Sequence, residues 1–188
     1  ISEPIFQEPV FVEKQEENVQ LPPLRILRTF PETISDGEGI RFSIYLSGCA
    51  HNCPGCHNPE SHDPAYGTII DESIVCEITS RINSNPILDG VTFSGGDPVY
   101  NPYRFRELAK RIKEDTGHNI WCYTGYTYER IVSDPARYPV LEYIDVLVDG
   151  PFIKSLYDPR LAFRGSSNQR ILRLSPSGDT AEDISCVF

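Results

Sequence analysis

Three cysteines, Cys49, Cys53 and Cys56, fall within eight residues with the spacing Cys-x3-Cys-x2-Cys, directly after the apolar run Ile40 to Leu46. Such a run predicts a buried strand, which places the cysteines on the loop that leaves its end. Within that loop Pro54-Gly55 supplies a tight turn, because Pro has φ preset and Gly tolerates positive φ. Thiolates are soft ligands suited to iron-sulfur clusters or zinc. A structural zinc or a purely electron-transferring 4Fe-4S cluster takes four protein ligands, whereas this loop offers three. A cubane held by three cysteines keeps one iron open to an outside ligand, an arrangement suited to chemistry at the metal.

The remainder of the chain alternates strand-like and helix-like stretches. Leu24 to Phe30 and Ile40 to Ser47 read as strands. Asp71 to Asn83 reads as a helix with Ile74, Val75, Ile78 and Ile82 on one face and Asp71 as its cap. Gly90 to Phe93 is a short buried strand, and Phe105, Leu108, Ala109 and Ile112 mark a second helix by their i, i+3, i+4, i+7 spacing. Asn119 to Thr124 is a strand, Tyr126 to Val132 and Val140 to Ile144 are short helical pieces, and Asp145 to Val148 and Gln169 to Leu174 are strands. That alternation implies a parallel sheet with right-handed crossovers. Closure of an eight-unit barrel takes about 250 residues, and this chain has 188. The expected fold class is therefore α/β, an incomplete (β/α) barrel with an open side, as a single domain over residues 24–188. Residues 1–23 hold five glutamates, one lysine and four prolines without periodicity and read as an acidic extension.

A net charge of −10 with no clustered Lys or Arg argues against a nucleic-acid binder. No run of about 18 apolar residues is present, so no membrane span is expected. Nor does the first stretch show a basic region followed by an apolar core, so no secretory signal is expected. The chain contains no Met, and its first residue is expected not to be the translational start. The six cysteines are too unevenly placed for a disulfide scaffold, which favours a reducing cytoplasm. Cys76, Cys122 and Cys186 are scattered and read as buried or incidental.

In parallel barrels the loops at the C-terminal ends of the strands converge on the active site. The cysteine loop, Gly95-Gly96-Asp97 and Asp149-Gly150 each follow an expected strand, so one mouth should gather them. Gly95-Gly96 is either a plain turn or exposed backbone for a ligand. Asp149 ends an apolar strand, where a carboxylate is costly unless paired or solvated; it is read as a cap or as ligand-facing. His51 and His57 offer an alternative, a mixed Cys and His zinc site. Arg164 and Arg170 flank Ser166-Ser167-Asn168, which would bind a carboxylate or phosphate, dock a partner, or form a solvated face.

The Cys-x3-Cys-x2-Cys loop resembles that of radical SAM enzymes, and its flanks narrow the likeness to the glycyl-radical-activating branch. Asp36-Gly37-Glu38-Gly39-Ile40-Arg41, Cys56-His57-Asn58-Pro59-Glu60, Trp121 to Tyr126 and Arg164 to Arg170 are similar to anaerobic ribonucleoside-triphosphate reductase activating proteins, over roughly residues 24–174. The resemblance implies a partial barrel, a 4Fe-4S cluster on Cys49, Cys53 and Cys56, and S-adenosyl-L-methionine on the open iron. It further implies Gly95 and Gly96 at the methionyl amino group, with Asp97 one methylene shorter than the family's Glu. Gly55 and His57 fall where the family contacts adenine; Cys56 is read as cofactor-binding as well as a metal ligand, and Asp149 as cofactor-binding or a cap. No side chain is implied as a general base. The implied partners are anaerobic ribonucleotide reductase and a low-potential donor such as flavodoxin or ferredoxin. Two alternatives stand beside this reading. One is a radical SAM enzyme acting elsewhere, such as a pyruvate formate-lyase activase or a small-molecule enzyme like a deazaguanine synthase. The other is a non-enzymatic zinc or electron-transfer module.

Overall fold

A computed structural model describes residues 22–188; most of the expected N-terminal extension lies outside them. The described residues build one eight-stranded sheet: β1 (Arg25–Thr33), β2 (Arg41–Leu46), β3 (Thr68–Ile69), β4 (Gly90–Gly95), β5 (Asn119–Tyr123), β6 (Val146–Asp149), β7 (Arg170–Leu174) and β8 (Ala181–Asp183). Their spatial order is β3-β1-β2-β4-β5-β6-β7-β8, so the sheet is open, with β3 and β8 at its ends.

The four central strands, β2, β4, β5 and β6, run parallel, as the alternation required. The flanks do not. β1 pairs antiparallel with β2 and β3, and β7 antiparallel with β6 and β8. The expectation of a purely parallel sheet is corrected at these edges, and the reason is the connection. Returning a strand in parallel takes a crossover of a dozen or more residues, usually a helix, and residues 150–169 hold only one short 3-10 turn.

Helices α1 (Glu72–Asn83) and α2 (Pro102–Thr116) cover one face of the sheet. The Asp71 side chain accepts from the Ile74 amide and caps α1. In α2, Pro102 sits in the first turn, where its missing N–H costs nothing, and Gly117 ends the helix at φ +69°. Phe105, Leu108, Ala109 and Ile112 bury against Phe42, Ile44, Val91, Phe93 and Ile120, which alternate onto that face. The Phe93 and Phe105 rings meet edge to face at 5.0 Å. A third, one-turn helix, α3 (Tyr128–Val132), follows β5.

The opposite face is polar. Its alternate residues include Arg41, Ser43 and Tyr45 on β2, Thr92 and Ser94 on β4, and Trp121 and Tyr123 on β5. Arg41 is 1% exposed and donates to Thr92 Oγ1, Asn119 Oδ1 and the Val91 carbonyl at 3.1, 2.7 and 2.7 Å. Its guanidinium lies over the Trp121 ring, and burial lowers its pKa to about 10. The turn between β1 and β2 lies against this group: the Asp36 carbonyl accepts from Thr92 Oγ1 at 2.8 Å, and Gly37 packs so closely on Trp121 that a Cβ would stand 2.8 Å from the indole. The N-terminal ends of the central strands are thereby stoppered.

Candidate functional site

A cleft of about 700 Å³ opens on the polar face at the C-terminal ends of the strands. Cys49, Cys53 and Cys56 line it, with Gly95 and Gly96 from the end of β4, Thr124 and Gly125 from the end of β5, and Gly150 from the end of β6. Backbone bonds lock these ends together. The Gly48 amide donates to Ser61 O at 2.7 Å, Gly96 to Leu46 O at 2.8 Å, Asp97 to Gly48 O at 2.8 Å, and Gly150 to Tyr126 O at 3.0 Å. Glycine is required where the loop rides on β4: a Cβ at Gly95, whose φ is +103°, would stand 2.5 Å from Leu46 O, and one at Gly96 2.6 Å from Gly48 O.

All three loop thiols are free and partly exposed. Burial raises the Cys49 thiol to about 11; the amides of His51 and Asn52 favour its thiolate, while Asp97 and Cys53 oppose it. Without a cation, Cys49 is therefore protonated at neutral pH, and metal binding must displace that proton. The Asn58 amide donates to Cys56 Sγ at 3.4 Å. Cys122 is buried, and Cys76 and Cys186 are exposed; none of the three lines the cleft. Among the described residues, no three His, Cys, Asp or Glu side chains converge where one metal ion would sit.

The remaining sequence-predicted residues divide. His57 lines the cleft, its ring 6.0 Å from that of Phe152. Gly55 turns the loop at φ +80°, and a Cβ there would touch Lys154 and Phe152. Asp97 and Asp149 do not line the cleft. Asp97 is 2% exposed and accepts from the Val99 and Gly125 amides, Thr124 Oγ1 and His51 Nε2. Asp149 is 1% exposed, pairs with Arg170, and accepts from the Tyr128 amide at 2.8 Å, capping α3 from another strand. Of the two readings offered for Asp149, cap or ligand-facing, these contacts are those of a cap.

Arg170 is likewise spent inside the protein, whereas Arg164 lines the cleft. Arg170 holds Asp149 and Glu129, which raise its pKa. Arg164 donates to the carbonyls of Gln169 and Ser185. The segment between them is a fastening: Gln169 Oε1 accepts from the Gly165 and Ser166 amides, and Asn168 Nδ2 donates to Pro151 O.

Sequence reasoning did not assign roles to Tyr45, Tyr123 and Phe152, which line the cleft or stand at its edge. Tyr45 donates to Asp36 Oδ2 at 3.0 Å. The Tyr123 hydroxyl is shielded from solvent without a partner, and burial, then Asp36 and Tyr45, push its pKa well up. The signal available was their position: each closes or follows a strand that points at the cysteine loop. A second depression, also about 700 Å³, lies between α1 and α2. Its charged walls are paired, as in Arg111 with Glu72, and hold no cysteine or histidine.

Comparison with known proteins gives a consistent neighbourhood. Residues 35–172 match the family described as a 4Fe-4S single cluster domain. The anaerobic ribonucleoside-triphosphate reductase-activating protein of Pasteurella multocida is 35% identical over 156 residues, covering 81% of this chain and 99% of that protein. Its counterpart in Escherichia coli K12 is 37% identical over 149 residues, covering 77% and 96%. The counterpart in Enterobacteria phage T4 is 33% identical over 147 residues, covering 77% and 90%.

Proposed function

The chain belongs to the family of anaerobic ribonucleoside-triphosphate reductase-activating proteins, and from that premise we propose that it is a radical SAM activase that generates a glycyl radical on anaerobic ribonucleotide reductase. One observation carries the reading: three free thiols, out of six in the chain, open into one cleft beside Gly95-Gly96.

The donor set fits a 4Fe-4S cluster. Three soft thiols share one loop, and the other three cysteines are outside the cleft. A structural zinc takes four protein ligands, and this loop supplies three cysteines. Cys49, Cys53 and Cys56 would hold the cluster, and the backbone at Gly95-Gly96 would receive the amino group of S-adenosyl-L-methionine. When bound, the cluster and S-adenosylmethionine supply one-electron cleavage of a sulfonium C–S bond and, through it, removal of a hydrogen atom from a glycine of the reductase.

The chain's own residues orient and shield. His57 and Phe152 line the cleft with their rings 6.0 Å apart. Tyr45, Tyr123 and Asp36 line the cleft toward the stoppered end of the strands. Asp97 and Asp149 act one layer back, tying the strand ends that carry the cleft wall. We read the open sheet as an incomplete (β/α) barrel over residues 24–188 that leaves one side to the protein substrate, with residues 1–23 as an extension. A flavodoxin or ferredoxin is the natural class of electron donor. Three unpaired thiols in a cleft suit a reducing cytoplasm, and no described helix is long and apolar enough to cross a membrane.

The test is anaerobic reconstitution, followed by incubation with reductase, S-adenosylmethionine and a reductant. Electron paramagnetic resonance should then show a glycyl-radical doublet on the reductase. Zinc without iron or sulfide in the anaerobically purified protein, or a loaded protein that yields no doublet, contradicts the reading.

A further inference from the structure

Within the cysteine loop, His51 is bound to the scaffold by its side chain. The imidazole is 14% exposed, and its Nε2 lies 2.6 Å from Asp97 Oδ2. Asp97 also accepts from the Val99 amide, from the Gly125 amide, and from Thr124 Oγ1, each at 3.0 Å. A carboxylate surrounded by donors is the ionised, acceptor-only form, so His51 Nε2 carries the hydrogen and donates it.

The imidazole has a seat as well as a tether. At Gly125 a Cβ would stand 2.4 Å from His51 Cδ2, so the ring occupies the space that any larger residue would need. Tyr126 meets the ring edge to face at 4.5 Å. Tyr126 is itself held by Arg137, which donates to its hydroxyl at 3.0 Å and lies over its ring. Thr124, Gly125 and Tyr126 thus each have one task at the same place: to orient the acceptor, to leave room, and to pack the ring.

The tether acts on the cysteines because His51 lies two residues from both Cys49 and Cys53. The backbone amides of His51 and Asn52 favour the Cys49 thiolate. Asn52 adopts φ +47°, a left-handed turn that Asn takes more readily than most other residues.

We propose that His51, seated on Thr124-Gly125-Tyr126 and tethered to Asp97, is a positioning residue that fixes Cys49 and Cys53 for cluster binding. The inference rests on the proposed function only in naming the cluster as what the loop holds. Partners one layer behind metal ligands are typically worth about 10–100-fold in metal affinity, and hydrogen bonds to cluster sulfurs set the reduction potential.

Three variants and one measurement on the unaltered protein test it. Gly125→Ala fills the seat while leaving the cysteine loop and Asp97 intact, His51→Ala removes the tether, and His51→Gln places an amide N–H where Nε2 stood. Iron and sulfide retained against a chelator, and the cluster midpoint potential from a redox titration, are read on each reconstituted protein. His51→Ala and Gly125→Ala should hold iron about 10–100-fold more weakly with a more negative midpoint potential, and His51→Gln should recover most of both. Retention and potential equal to those of the unaltered protein in His51→Ala and Gly125→Ala overturn the proposal. Nitrogen NMR of histidine-labelled apoprotein decides independently of how the variants fold: an Nε2–H tautomer for His51 is required, and an Nδ1–H tautomer overturns it. If the unaltered protein takes up no iron while the Nε2–H tautomer is found, the proposed function has failed and the tether has not.

Discussion

The two ends of the central strands treat polar groups in opposite ways. At the N-terminal ends, each nitrogen of the Arg41 guanidinium donates to an oxygen of the chain, and the turn at Asp36-Gly37 packs over the group. At the C-terminal ends, Ser47 Oγ, His62 Nε2 and the Tyr123 hydroxyl are shielded without partners, and three thiols stand reduced. A buried polar group left unpaired costs about 1–3 kcal/mol, so at the second end partners for these groups must come from outside the chain. The first end stabilises, and the second carries the proposed site.

Substitutions at the two ends should therefore separate stability from activity. The largest effect is expected for Cys53→Ala, which should abolish cluster loading and glycyl-radical formation while changing apoprotein stability by no more than about 0.5 kcal/mol; iron analysis and denaturant unfolding measure the two. Arg41→Ala should do the reverse. It leaves the Thr92 and Asn119 side chains and the Val91 carbonyl without their donor and should lower stability by about 3 kcal/mol, read as a fall in the unfolding midpoint. Asp149→Asn, which weakens the tie to Arg170 and the cap on α3, should lower stability by about 2 kcal/mol with iron still bound. The smallest effect sharpens the contrast most. Tyr123→Phe removes an unpartnered hydroxyl and should leave the apoprotein unchanged or stabilise it by up to about 1 kcal/mol. Equal losses of stability from Tyr123→Phe and Arg41→Ala would erase the distinction between the ends.

Much of this was legible in the sequence, for local reasons. The α2 face declared itself through Phe105, Leu108, Ala109 and Ile112, and Asp71 marked the start of α1. The central strands were legible as short stretches rich in apolar residues, and their shared direction put the cysteine loop, Gly95-Gly96 and Gly150 on one cleft. What stayed hidden was non-local. β3 and β8 are two and three residues long and carry no periodicity. The antiparallel return of β7 depends on the absence of a crossover helix, not on any residue within β7. Asp97 and Asp149 each followed a strand as read, but a strand end does not reveal which way a carboxylate turns. The partners that decided the matter are remote: His51 lies 46 residues from Asp97, and Arg170 21 residues from Asp149.

The proposed activity requires an iron corner that no side chain of this protein fills. Electron-nuclear double resonance on the reduced, reconstituted protein with S-adenosylmethionine labelled at its amino nitrogen examines that corner directly. A hyperfine coupling between that nitrogen and the cluster is the predicted result. A fully loaded cluster with no coupling to the label, its fourth iron held by a side chain of this protein, would contradict the account.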